Sequence, residues 1–280
     1  MDNASSLDPT IAAHYERDFD EAERLTADAL GLLEWMRTWP ILMRHLPPPP
    51  SEILDVGGGR GAYAFPLAGE GYSVRLLDPV ARHIEQAQLF QREQQADRPL
   101  AEATVGDARA LPYEDASADA VLLLGPLYHL IHRGDRIRAL TEARRVLKNG
   151  GVLAAAAISR FASLIDGLAR SFLADPEFEQ VVEGDLREGV HRNPTGRPDW
   201  FTTAYFHHPL DLPEEVAAAG LQPVATLAVE GPAWAARDLE DWLEDPNRTD
   251  KLLGYLTTVE ADPSLLGASP HLLIIARRSG

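Results

Sequence analysis

Seven short apolar runs punctuate the chain, at about 52–56, 72–77, 101–105, 119–124, 151–158, 222–229 and 271–277. Runs of this length with little polar alternation predict strands buried on both faces. Between them, helical spacing of apolar residues predicts helices near 61–69, 80–96, 134–147 and 211–219. Alternating strand and helix implies parallel strands joined by right-handed crossovers, an α/β fold with a doubly wound sheet. Upstream, Leu25, Ala29, Leu32, Leu33 and Met36 recur at helical spacing, so 8–46 reads as helical, with a break at Trp39-Pro40. Pro47 to Pro50 then form a stiff spacer into the core.

Two stretches exceed the length of a plain connection: 160–208 and 231–268. The first opens with Phe161, Leu164, Ile165, Leu168 and Phe172 at helical spacing. The second carries Trp234, Leu239, Trp242, Leu243, Leu252, Leu253 and Leu256, which suggest two further helices. Both are expected to act as cap or binding elements.

The first strand carries the chemistry. Ile53-Leu54-Asp55-Val56 runs into Gly57-Gly58-Gly59-Arg60-Gly61. Glycine lets the backbone turn sharply and approach a ligand closely. The helix that follows would present its N-terminal N–H groups to that ligand. A second strand ends in Asp78, about 20 residues on, where a ribose-binding carboxylate belongs. Val105-Gly106-Asp107-Ala108 makes a third apolar-to-acidic junction, and Leu147-Lys148-Asn149-Gly150-Gly151 a helix end, turn and new strand.

In that order and spacing, these four segments resemble the class I S-adenosylmethionine-dependent methyltransferases, in particular the UbiE-like small-molecule group. The resemblance covers residues 50–160. It implies a seven-stranded, mostly parallel Rossmann-like sheet with its last strand, 271–277, antiparallel. It implies 1–46 as a helical cap segment and 47–280 as the cofactor-binding methyltransferase domain. The cofactor would be S-adenosyl-L-methionine, its product S-adenosyl-L-homocysteine. A dinucleotide site fits less well, because the second glycine gap is one residue rather than two and Asp55 would repel pyrophosphate. An ammonium and a sulfonium suit an acidic pocket.

The resemblance assigns cofactor contacts to Asp55, Gly57, Gly59, Asp78, Pro79, Asp107, Ala108, Leu124 and Gly125, with Tyr15 from the leading segment. Each acid has a structural alternative: Asp55 and Asp107 as turn acids, Asp78 as the N-cap before Pro79. Tyr15 is equally a surface helix residue. Gly125-Pro126-Leu127-Tyr128 lacks the amide or carboxylate that nucleobase-amine methyltransferases carry at its first position, which argues against that mechanism. Tyr128 and His129 are the catalytic and substrate-contact candidates. His129 is either a general base or a packed histidine. Arg160, Trp200, Tyr205 and His207 are further substrate candidates, three of them in the aromatic, histidine-rich stretch 191–208. His191, His207 and His208 lack an acid at ligand spacing, so no metal is expected.

Composition narrows the partners. With 26 Lys and Arg against 43 Asp and Glu, the net charge is −17. No basic footprint for nucleic acid is expected, nor attraction to anionic membranes. The chain has no cysteine, which excludes disulfides and thiolate metal sites. The start of the chain lacks the basic-then-apolar pattern of a signal peptide, and no apolar run is long enough to cross a bilayer. The expectation is a cytoplasmic monomer or homodimer acting on a small molecule. RNA or protein methylation, or a non-catalytic cofactor-binding role, are the alternatives.

Overall fold

The computed structural model describes Leu25 and residues 28–93 and 98–280. Nine strands form the sheet: β1 Glu52–Val56, β2 Ser73–Asp78, β3 Glu102–Val105, β4 Ala118–Leu123, β5 Leu147–Ser159, β6 Val190–His191, β7 Ala204–His207, β8 Leu221–Ala228 and β9 His271–Arg278. Seven run in the order β3-β2-β1-β4-β5-β9-β8. Strands β1 to β5 are parallel, and β9 is antiparallel to both β5 and β8. These seven are the strands the apolar pattern predicts.

The other two correct the expected strand count. β7 pairs parallel with the end of β5, Ile158 opposite Phe206 and Ser159 opposite His207. Ile158 also pairs with His271 on β9. So β7 lies on the opposite edge, the one β4 holds only as far as Leu123 opposite Ala155. Part of the 160–208 insertion therefore fills the sheet position that β4 vacates. β6 pairs antiparallel with β7. Strands of two and four residues leave too little pattern to detect, and their pairing is entirely non-local.

Helices cover both faces. Along β1, Ile53 faces one core and Leu54 the other, as strand alternation requires. One face packs against α1 (Ala29–His45), α2 (Ala64–Gly69) and α3 (Ala81–Glu93), through Ile41, Leu42, Leu67 and Ile84. The other packs against α5 (Arg133–Val146) and α8 (Asp211–Ala218), through Ala139, Leu140, Leu212 and Val216. Between them in sequence lie α4 (Pro126–His129), α6 (Ala162–Ala169) and α7 (Pro176–Glu188). The second insertion forms α9 (Leu239–Glu244) and α10 (Pro246–Val259), and its Leu239 and Leu256 pack on Leu33 of α1.

Two local expectations change. The helix does not break at Pro40, which lies inside α1. Its missing N–H forfeits one helical hydrogen bond, but Ile41 and Leu42 beyond it are fully buried and hold the last turns in register. Gly150-Gly151 lies within β5 rather than ahead of it. There the register jumps from Ala118 opposite Leu147 to Ala120 opposite Val152, and Gly150 takes φ +78°.

Candidate functional site

Two neighbouring cavities lie at the carboxyl edge of the sheet. The first is walled by the ends of β1, β2 and β4. Asp55, Gly57, Gly59, Asp78, Pro79, Asp107, Ala108, Leu124 and Gly125 all line it, together with Tyr128 and His129. Tyr15 lies outside the described residues, but Leu25 of the same leading segment reaches this wall.

Glycine is required here for two separate reasons. Gly57, Gly59 and Gly61 take positive φ, at +69°, +59° and +97°. Gly58 and Gly125 are fixed by space: a Cβ at Gly58 would lie 2.4 Å from Asp55 Oδ2, and one at Gly125 2.9 Å from the Gly57 carbonyl oxygen. The β1 and β4 loops thus touch backbone to backbone.

The three acids differ in their surroundings. Asp55 is fully buried, and neither oxygen has a hydrogen-bond partner among the described residues. Burial, reinforced by the nearby Asp78, pushes its carboxyl up to about 7. Asp78 accepts from Gly59 N and Val80 N, both at 2.9 Å, and its Oδ1 lies 3.0 Å from His83 Nδ1. It therefore ties the glycine loop to the second strand and caps the start of α3. Three of its roughly four acceptor positions are thereby used, and one on Oδ2 remains for a hydroxyl donor. Asp107 is held by Arg109 through Nε at 2.9 Å, Nη2 at 2.6 Å and the backbone N at 2.8 Å. Burial raises its carboxyl, but these bonds outweigh it and hold the group below the usual carboxylate range.

The second cavity, of about 410 Å³, opens beyond β4 and β5. Tyr128 lines both cavities. The β7 position explains this: Tyr128 packs with Phe201, Ile158, Ala204 and Phe206, under the strand that extends the sheet past β4. Phe201 stacks near His129 at 6.0 Å and lies 6.3 Å from Tyr128. Its backbone sits at φ +62°, ψ −176°, a region that glycine alone occupies without strain. Trp200 and His191 line the same cavity. His191 Nδ1 meets Asp185 Oδ2 at 2.8 Å, and its Nε2 meets the Trp200 carbonyl at 2.7 Å, which clasps this loop to α7.

Arg160, Tyr205 and His207 line neither cavity. The Arg136 guanidinium carbon lies 3.5 Å over the Tyr205 ring, and Arg136 forms a bidentate pair with Glu215 at 2.7 and 2.8 Å. His207 is wholly buried, with Nε2 3.3 Å from Glu215; burial lowers its pKa. Arg160 donates to the Phe206 carbonyl and lies 3.3 Å from the Tyr205 hydroxyl. This group fastens β7 to α5 and α8. A dense aromatic and histidine stretch looks alike in sequence whether it lines a cavity or packs.

Other lining residues escaped sequence reasoning. Tyr63, His83 and Arg109 line the first cavity, and Glu34, Glu230 and His271 the second. His83 and Arg109 sit five and two residues past strand-end acids, a local signal. Tyr63 follows the glycine loop by two residues, whereas Glu34, Glu230 and His271 come from three distant segments that nothing local links. His191, His207 and His208 stay apart, engaged with Asp185, Glu215 and Phe161. Glu34, Glu230 and His271 instead bring ligand-capable atoms within 4.8 Å of one another.

Residues 54–155 match the methyltransferase domain family. That segment is a methyltransferase domain. The malonyl-[acyl-carrier protein] O-methyltransferase of Methylococcus capsulatus is 36% identical to the chain over 121 residues, 40% of this chain and 39% of that enzyme. The ubiquinone biosynthesis O-methyltransferase of Methylocella silvestris is 30% identical over 169 residues, 60% of this chain and 57% of that one. The chain thus spans well under two thirds of the length of either relative. The solved structure of a SAM-dependent methyltransferase from Methanosarcina mazei shares the fold, at a TM-score of 0.59, 21% identity and coverage of 86% of this chain and 97% of that one. The family match runs over residues 54–155, so of the residues that line the second cavity only Tyr128 falls inside it.

The first cavity fits the family's cofactor. The Asp55 carboxyl, without a hydrogen-bond partner among the described residues, suits the positive charge of S-adenosylmethionine, and Asp78 keeps an acceptor position for a ribose hydroxyl. No described helix is long and apolar enough to cross a membrane.

Proposed function

We propose that this protein transfers a methyl group from S-adenosylmethionine to a small molecule held in the second cavity. One observation carries the reading: Tyr128 lines both cavities, so a donor in the first and an acceptor in the second meet at one side chain. The cofactor, when bound, supplies a methyl group on a sulfonium, already activated for transfer. Asp78 would take a ribose hydroxyl, Asp55 the positive charge, and the 107–109 turn the adenine. Tyr128 and His129 would contact the acceptor, and alignment across the seam would supply much of the rate. A volume of about 410 Å³ is in the range of small-molecule sites. A cofactor-binding role without catalysis would not require the second cavity.

Asp78→Asn keeps the size of the side chain and removes its charge. Loss of a charged hydrogen bond to the ribose should weaken S-adenosylhomocysteine binding by about 1.5–3 kcal/mol, roughly ten- to hundredfold. Calorimetric titration of a variant that melts like the wild type tests this, and unchanged affinity rejects the assignment. Release of S-adenosylhomocysteine against a metabolite panel tests turnover.

A further inference from the structure

We propose that Phe201 sets the specificity of the second cavity, and that the acceptor turns a flat, conjugated ring toward Phe201 and Tyr128 at its reacting end. This rests on the reading of that cavity as the acceptor site. Among the described residues, six Phe, Tyr and Trp side chains line it. Four of them are taken up by packing: Phe178, Trp200 and Phe206 are 2, 2 and 3% exposed, and Trp234 is 9% exposed. The Arg197 guanidinium lies 4.2 Å over the Trp200 ring, and His191 stacks on Phe206 at 4.7 Å. Three of the lining acids are engaged as well: Asp28 accepts from Gly31 N, Asp166 pairs with Arg170, and Glu230 accepts from Ser269 Oγ at 2.9 Å. Tyr128 and Phe201 are the half-buried rings of the six, so the open ring surface is theirs.

The backbone at Phe201 is held so as to place that ring. Its φ of +62° and ψ of −176° are costly for any residue with a Cβ, and such a conformation persists only where the surroundings over-determine it. Here both carbonyls that bracket the residue are fastened. Trp200 O lies 2.7 Å from His191 Nε2, and since a carbonyl only accepts, that nitrogen donates. Phe201 O accepts from Asn193 Nδ2 at 2.8 Å, and the same amide donates to Arg197 O at 2.7 Å. Filling space alone does not require a strained residue.

The two rings form a corner. Their centroids are 6.3 Å apart and their planes are inclined at 58°. A flat ring in this corner can lie offset on one face and meet the other edge to face, the two arrangements that aromatic quadrupoles favour. Tyr128 also lines the first cavity, so this ring is the end of the acceptor that meets the donor. A saturated skeleton of the same size is more hydrophobic but puckered, and it has no such face to offer.

The test titrates the protein with 2-naphthol and its saturated counterpart 2-decalol, with S-adenosylhomocysteine present and absent. We expect naphthol to bind at least about fivefold more tightly, from two aromatic pairs. Phe201→Tyr should keep that preference, and Phe201→Leu should reduce it to about twofold or less. Phe201→Gly guards against a variant that fails to fold, because glycine adopts this backbone without strain. It should lose the preference too, and it should melt above Phe201→Ala, the reverse of the ordinary order. Equal binding of the two alcohols, weaker binding of naphthol, or binding of neither overturns the proposal. So does a preference that survives in folded Phe201→Leu or Phe201→Gly, which would make Phe201 a packing residue. A Phe201→Ala protein that melts at or above Phe201→Gly overturns it as well. Failure to bind S-adenosylhomocysteine at all would instead reject the cofactor assignment of the first cavity, and the naphthol preference is still measured in its absence.

Discussion

Asp55 shows how one buried side chain ties stability to pH. It is fully buried without a hydrogen-bond partner among the described residues, and its carboxyl is raised from an ordinary 3.8 to about 7. A raised carboxyl means that the folded state holds the proton more tightly than the unfolded chain. The stability this proton confers is complete below about pH 4 and is lost as pH rises through 7. Over that window the buried charge costs roughly 4 kcal/mol without a cofactor. Asp55→Asn should therefore change from neutral to stabilising, relative to wild type, between pH 4 and pH 8. It should also weaken S-adenosylmethionine binding, because the attraction for the cofactor's charge is gone. Melting curves at several pH values check this, and a pH-independent difference would show that the carboxyl is solvated. The residue was legible in sequence as a strand-end acid. Its missing partners were not, since they depend on how Gly58 and the second strand close over it.

At the scale of elements, the connection between β7, α5 and α8 decides which insertion residues face the second cavity. Burial would raise the Glu215 carboxyl, but the Arg136 fork and His207 more than reverse this and bring it down to about 2. A depressed carboxylate stabilises above its unfolded value and loses that contribution as pH falls. Glu215→Gln should thus be most damaging at neutral pH, by about 3 kcal/mol from the shift alone. The penalty should shrink below pH 4.5 and nearly vanish near pH 2. Urea unfolding at pH 7 and pH 3 tests the sign, and equal penalties at both would discard the ion-pair account. The same network explains why Tyr205 and His207 did not reach the cavity. Alternation on β7 sends Phe206 to the cavity wall and its two neighbours to Arg136 and Glu215.

On the scale of the whole molecule, the leading helix is locked to the far end of the chain by one buried arginine. Arg37 is 1% exposed and donates to the Val229 carbonyl at 3.0 Å, Thr257 Oγ1 at 2.6 Å and the Glu260 carboxylate. Arg44 reaches the other oxygen of Glu260 at 2.6 Å. These bonds place α1, and with it Glu34, against the strands that carry Glu230 and His271. Arg37→Met should cost about 3–5 kcal/mol, because it leaves Glu260 short of a buried partner. Adding Glu260→Gln should recover part of that loss. A double-mutant cycle by denaturant unfolding measures the coupling, and additive losses would mean that the pair is not energetically linked.

What the sequence determined by itself is the central sheet and the first cavity. Both are written in short range: an apolar run, the acid that ends it and the glycines that turn it lie within ten residues, and each repeats the same physical requirement. Tertiary structure alone decided the second cavity. Its walls come from Glu34, Tyr128, Trp200, Glu230 and His271, which are scattered over more than two hundred positions and carry no shared local pattern. They meet because β4 ends early, β7 takes its place, and Arg37 draws the first helix onto the last strands. Side chains brought together by chain pairing leave no periodicity to read, so the glycine loop and its strand-end acids were legible in sequence while the lining of the second cavity had to await the fold.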